Sequence, residues 1–244
     1  MITSAPRETT PAPAARSVTF VPPDASGVAR IVIDRPDDPV NSIDAKLLVD
    51  LAAAAAAARA ASPPVGVGAP ALRGVVVMSG KADQFVAGAD LKMARGASRE
   101  DLERASRGMQ QVLNDLEALT CTTVAAINGP ALGGGFEIAL ACDRRIAADA
   151  PSVRVGLPEV RLGVLPAAGG TQRLPRLVGL LRALDLILGA RTLAPKRALR
   201  AGLVDEVVHP AALLRAAADV ARSAGKRKAE GGKTVAERAA TWLA

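Results

Sequence analysis

Four short apolar runs rich in β-branched residues recur along the chain with helix-like segments between them, and this alternation restricts the fold more than any other feature. The runs cover residues 28–34 (VARIVID), 74–79 (GVVVMS), 122–127 (TTVAAI) and 144–148 (RRIAA). Arg35-Pro36 ends the first, and the second and third read as strands buried on both faces. Between them, Ser42 opens a helix that passes through Asp44, Leu47, Leu48 and Leu51 into the alanines of 52–58, where helix propensity substitutes for specific packing. Pro63 and Pro64 stop that helix, and SPPVGVGAP (62–70) reads as a loop. A second helix, 98–119, repeats Leu102, Met109, Val112, Leu113 and Leu116 at helical intervals, and 135–142 forms a third. Strands that alternate with helices pair in parallel through right-handed crossovers, so the expected fold is an α/β domain. Beyond 148 the chain reads as mainly helical, apart from a short strand at 203–208.

The 244 residues, half of them hydrophobic, suffice for one large domain. The expected division is a disordered lead-in at 1–16, a main domain at 17–222 and a linker or short helix at 223–244. No apolar run has the length of a membrane span, and the N-terminus lacks signal-peptide order, so the expected setting is cytoplasmic. Cys121 and Cys142 have no metal-ligand spacing and read as reduced, buried thiols. His209, the lone histidine, precedes Pro210 in a turn, where a structural or exposed role is expected; no G-x-S-x-G elbow accompanies it. The net charge of +7 raises the question of nucleic acid. With four aromatic residues (Phe20, Phe85, Phe136, Trp242) and scattered Lys and Arg, there is no stacking platform, and anionic small molecules are the better match.

Three stretches have the composition of chemistry. In FVAGADLKM (85–93), Gly88 permits close backbone approach, and the residues after it can open a helix with outward amides; a loop glycine followed by an Asp at a helix start fits equally. PALGGGFEIALACD (130–143) repeats the arrangement, leading from a strand through Gly133, Gly134 and Gly135 into a helix. Amides from two such loops, converging on one carbonyl oxygen, would make an oxyanion hole. A phosphate cradle is the competing use of the glycines, but the P-loop lysine with its Ser or Thr, and a G-x-G-x-x-G after a strand, are missing. Glu137 sits in the apolar run after the glycines, where the helix dipole alone would favour an acid. Glu159, between Leu157-Pro158 and Val160, is a second acid among apolar neighbours. Paired in a dry pocket, two carboxylates acquire different pKa values and divide into base and acid.

In order along the chain, FVAGADLKM, INGPALGGGFEIALACD, GLPEVRLGVLPAAGGTQRLPRLVG and AGLVDEVV resemble the enoyl-CoA hydratase/isomerase (crotonase) family. The third motif looks most like the hydratase part of multifunctional fatty-acid oxidation alpha subunits, which continue into a dehydrogenase. The resemblance implies a spiral of ββα units with a helical C-terminal region, and either a homo-oligomer or a subunit of a β-oxidation complex. It implies hydration of a 2-trans-enoyl-CoA by syn addition. In that reading Glu137 activates water and Glu159 gives a proton, while Ala89 and Gly134 amides hold the thioester oxygen. It also implies that Val86, Ala87 and Gly88 lie along the CoA moiety and that Lys92 approaches its phosphates; for Lys92 a solvated helix charge fits too. No metal or other cofactor is implied, CoA being part of the substrate. A Δ3-Δ2-enoyl-CoA isomerase and a non-catalytic acyl-CoA-binding subunit remain as alternatives. Where many relatives read P-G-x-G-G, this chain has Pro166-Ala167-Ala168-Gly169-Gly170, and an alanine at positive φ would shift the loop.

Overall fold

The computed structural model describes residues 16–36, 38–62, 71–90 and 96–225. The expected lead-in, the 63–70 loop, Lys92 and the tail beyond 225 lie outside these residues. Six strands form the main sheet in the order β1-β2-β3-β4-β6-β9. They are β1 (Val18–Val21), β2 (Val28–Ile33), β3 (Gly74–Ser79), β4 (Thr122–Ile127), β6 (Arg144–Ala148) and β9 (Glu206–Val208). From β2 to β9 all neighbours pair in parallel, as the alternation requires, and only β1 runs antiparallel, against β2. All six side chains of β4 are buried, whereas Met78 in β3 is only partly so. Such strands have no polar face to orient them, and helices must cover both sides.

Helix α1 (Ala45–Ala60) begins later than its sequence implies. Asp44, not Ser42, is the cap: its carboxylate accepts from the Leu47 amide at 2.7 Å, while the Ser42 hydroxyl is taken by Arg35. The alanines of α1 also do more than supply propensity. Ala54, Ala55 and Ala58 are buried, and α1 packs against α2 (Arg99–Glu117) as well as β1. A reciprocal capping box between Ser98 and Asp101 opens α2. Met109, Val112, Leu113 and Leu116 form its buried stripe, but Leu102 is exposed.

Three further strands were not foreseen, β5 (Ala131–Leu132) in the glycine stretch, and β7 (Val155–Gly156) and β8 (Thr192–Leu193) in the part beyond 148 that reads as mainly helical; together they form a small separate sheet. Two-residue strands lack enough residues to show a period. The strand expected at 203–208 is shortened to β9, because Leu203 and Val204 are spent on a buried turn. The remaining helices are α3 (Gly134–Leu140), α4 (Gly170–Val178), α5 (Leu180–Leu188), α6 (Pro195–Ala201) and α7 (Leu213–Ser223), the last packed across β3 and β4. Both cysteines are buried and neither is in a disulfide, and burial pushes the Cys142 thiol up to about 12. His209 is exposed and accepts from the Ala211 amide, a capping role.

Candidate active site

The site forms where β4 ends and α3 begins. Strand β5 and the 85–90 segment are laced together there: the Val86 amide donates to Pro130 O (3.0 Å) and the Leu132 amide to Val86 O (3.1 Å). A Cβ on Gly135 would stand 2.0 Å from Val86 O, so the third glycine of the run exists to let the two backbones touch. On its other edge the 85–90 segment bonds to residues 41–43. The Ala87 amide donates to Asn41 O, the Ile43 amide to Gly88 O and the Asp90 amide to Ile43 O. This pattern uses the Ala87 and Asp90 amides and the Gly88 carbonyl, and among the described residues no backbone acceptor takes the amide of Ala89 itself. Among the described residues the Gly134 amide, first in α3, likewise has no backbone acceptor. Thus the two expected donors belong to segments bonded directly to each other.

Glu137 lies one turn into α3, 2 % exposed. Its Oε1 accepts from the Ala168 amide at 2.8 Å and the Gly170 amide at 2.7 Å. Burial raises its pKa above the ordinary value, and those two amides with the Arg173 guanidinium oppose the rise. Glu159 opens a short 3-10 turn (Glu159–Leu162) after β7. Gly133, at φ 53°, turns the chain beneath it, and a Cβ there would come within 3.1 Å of Glu159 Oε1. Its Oε2 is buried without a hydrogen-bond partner. Burial, reinforced by the charge of Glu137, pushes the Glu159 carboxyl up to about 7. The two carboxyls therefore occupy one electrostatic environment with opposite supports. Glu137 is held by amides that favour the anion, and Glu159 has an unpaired oxygen in an apolar setting that favours the acid.

The loop that supplies the amides for Glu137 is the Pro166-Ala167-Ala168-Gly169-Gly170 segment. The strain expected at its alanines is absent: the left-handed residue is Gly169 at φ 106°, and neither Ala167 nor Ala168 has positive φ. Sequence reading missed the polar residues that hold the site together. Asn41, fully buried, places its amide nitrogen within 2.9–3.0 Å of Ile33 O, Ser79 Oγ and Phe85 O, joining the ends of β2 and β3 to the 85–90 segment. Arg35 pairs with Asp38, Asp44 and Asp90 around the same segment. Single polar residues in loops have no period or spacing to mark them.

The family model for enoyl-CoA hydratase/isomerase matches residues 24–238. The chain belongs to the enoyl-CoA hydratase/isomerase family. Fatty acid oxidation complex subunit alpha of Shewanella amazonensis is 43 % identical over 202 residues, which cover 82 % of this chain and 27 % of that protein. The same-named subunit of Shewanella loihica is 43 % identical over 206 residues, 84 % of this chain and 28 % of that protein. The chain thus spans little more than a quarter of the length of these relatives. Among solved structures, an enoyl-CoA hydratase from Bacillus anthracis superposes with a TM-score of 0.74 at 36 % identity, covering 84 % of this chain and 75 % of that one. Pseudomonas aeruginosa DspI gives a TM-score of 0.74 at 31 % identity over 98 % of this chain and 89 % of its own. The fold is that of the family, an α/β crotonase-like architecture. Among the described residues no group of three His, Cys, Asp or Glu is placed to hold a metal ion, and no helix is long and apolar enough to cross a membrane.

Proposed function

We propose that the chain is an enoyl-CoA hydratase that adds water reversibly, and syn, to a 2-trans-enoyl-CoA in fatty-acid β-oxidation. The observation that carries this reading is the unequal support of two carboxyls that share one electrostatic environment, Glu137 bonded by two backbone amides and the partly buried Glu159 left with one oxygen unbonded and pushed up to about 7. Glu137 takes a proton from water as its oxygen bonds to C3. Glu159 gives its proton to C2, and the double bond between them is consumed. Charge that develops on the thioester oxygen is met by the Ala89 and Gly134 amides, donors fixed before substrate arrives. Each turnover leaves Glu137 protonated and Glu159 ionised, so solvent or direct exchange must return one proton. Val86, Ala87 and Gly88 line the approach of the CoA moiety in this reading, and Lys92 meets its phosphates. The chemistry calls for no metal and no cofactor beyond CoA itself.

The setting we assign is cytoplasmic and oligomeric. Leu162, Val164 and Leu165 beside the 3-10 turn, with Leu181 and Leu188 on α5, are exposed in the single chain, and a second copy would cover them.

Loss of the conjugated thioester of crotonyl-CoA tests the function. Wild type should turn over, and Glu137→Gln and Glu159→Gln should each lose on the order of 100-fold or more in kcat. Equal rates in all three proteins would refute the two-carboxylate reaction. Conversion of a 3-enoyl-CoA without hydration would instead favour the isomerase, and tight binding of CoA esters without turnover the binding subunit.

A further inference from the structure

Helix α2 presents Ser106, Gln110, Asn114 and Glu117 along one side, three or four residues apart; the first two reach the loop that holds Glu137 and the last two reach Arg173. Ser106 Oγ donates to Ala167 O at 2.8 Å, and Gln110 Nε2 to the same oxygen at 2.7 Å. Arg173, 8 % exposed on α4, donates from Nη1 to Ala168 O at 2.9 Å. Its other nitrogens are fixed by Asn114 Oδ1 (2.7 Å) and by Glu117 Oε2 (2.9–3.0 Å). The carbonyls of Ala167 and Ala168 are thus tied to α2 while amides of the same loop point to Glu137. A polar cleft of about 500 Å3, lined by Ser106, Gln110, Ala167 and Arg173 among others, opens against this loop. On the cleft side the loop is held by these polar ties, while Ala168 packs into the core.

We propose that Arg173, together with Ser106 and Gln110, is a set of positioning residues that fixes the 166–170 loop and, through it, the Glu137 carboxylate. This rests on the hydratase reading. None of the three touches the proposed reacting atoms. They act on where the Ala168 and Gly170 amides stand, and Arg173 adds a positive charge facing the carboxylate. The charged groups around Glu137 are Arg173 from α4 and Glu159 from the 3-10 turn, while Glu117 of α2 faces Arg173 and the nearby Cys142 thiol stays neutral. Displacement of a reacting group by an ångström can cost on the order of 100-fold in rate.

The experiment compares Arg173→Met, Arg173→Lys and the double variant Ser106→Ala/Gln110→Ala, each shown to be folded by circular dichroism, in crotonyl-CoA hydration. Arg173→Met should lose about tenfold or more in kcat with KM within about threefold of wild type. Its acid limb should move to higher pH, because a cation that favours ionised Glu137 is gone. Arg173→Lys keeps the charge without the three-way fork, so it should restore the acid limb and only part of kcat. The double variant changes two side chains on the solvent side of α2, where loss of fold is not at issue; it should lower kcat and leave the acid limb in place. Wild-type kcat and acid limb in Arg173→Met, or full kcat in the double variant, overturn the proposal. If wild type itself fails to hydrate, the hydratase reading falls alone. Positioning is then read from titration of the Glu137 carboxyl by carbon-13 NMR, assigned with Glu137→Gln. An upward shift in Arg173→Met supports it, and an unmoved midpoint overturns it.

Discussion

At the scale of single residues, Glu159 carries a cost that can be measured without any substrate. Its pKa is raised from 4.5 to about 7, so between those values the native state holds a proton that the unfolded chain has released. Stability contributed by that proton is present at acid pH and is lost as pH rises through the window. Above pH 7 the folded protein holds an ionised, largely desolvated carboxylate with one oxygen unpartnered. Glu159→Gln should therefore be more stable than wild type at pH 8, by about 1–2 kcal/mol after allowance for the partial exposure of the group, and the gap should close near pH 4.5. Urea unfolding at the two pH values checks this. A Gln variant that is less stable at both would mean that the carboxylate is well supported in the fold. A residue that weakens the protein where it is most ionised is what a site shaped for proton transfer predicts.

At the scale of elements, the contact between the 85–90 segment and the start of α3 is backbone on backbone. Gly135→Ala would drive a methyl into Val86 O, and because both sides are main chain the relief must come from moving a segment. The expected result is a loss of about 1–3 kcal/mol in stability, by analogy with overpacked cores, together with a fall in kcat as the Ala89 and Gly134 amides separate. Unchanged kcat in the folded variant would show that the two donors need not be held together. Much of this arrangement was legible in the sequence. The glycine run, the acid after it and the second acid downstream lie on segments that the structure brings together, because close approach and buried charge each demand particular residue types. Parallel pairing followed from the alternation of runs. What escaped were the ties between loops. Asn41, Arg35 and Arg173 act through bonds that include partners distant in sequence, and nothing local distinguishes such residues from solvated ones. The small sheet of β5, β7 and β8 escaped because two-residue strands carry no pattern. The exposure of Leu102 marks the reverse case, a residue on the helical period but past the end of the surface that α2 covers.

At the scale of the whole molecule, a buried charge ties together the two strands at one edge of the main sheet, β6 and β9. Arg145, 2 % exposed on β6, donates to Cys142 O at 2.8 Å just past the C-terminus of α3, to Leu203 O at 3.0 Å, and pairs with Asp205 at 3.0 Å. The Asp205 carboxylate also accepts from the Arg145 amide at 2.8 Å, which sets the entry into β9. One side chain thus connects the helix that bears Glu137 to the strand that closes the sheet. Asp205→Ala leaves the guanidinium buried without its counter-charge, and a loss of about 3 kcal/mol is expected, the low end for a buried pair because Asp205 is partly exposed. A urea midpoint equal to that of wild type would show that the carbonyls alone suffice. The family, the fold and the two carboxyls converge on hydration, and the course of the addition tests that claim most directly. In deuterium oxide, hydration of crotonyl-CoA should place one deuterium at C2 on the same face as the new C3 hydroxyl, the outcome of syn addition by the two carboxyls. Deuterium on the opposite face, or spread over both, would contradict a reaction run by Glu137 and Glu159 together.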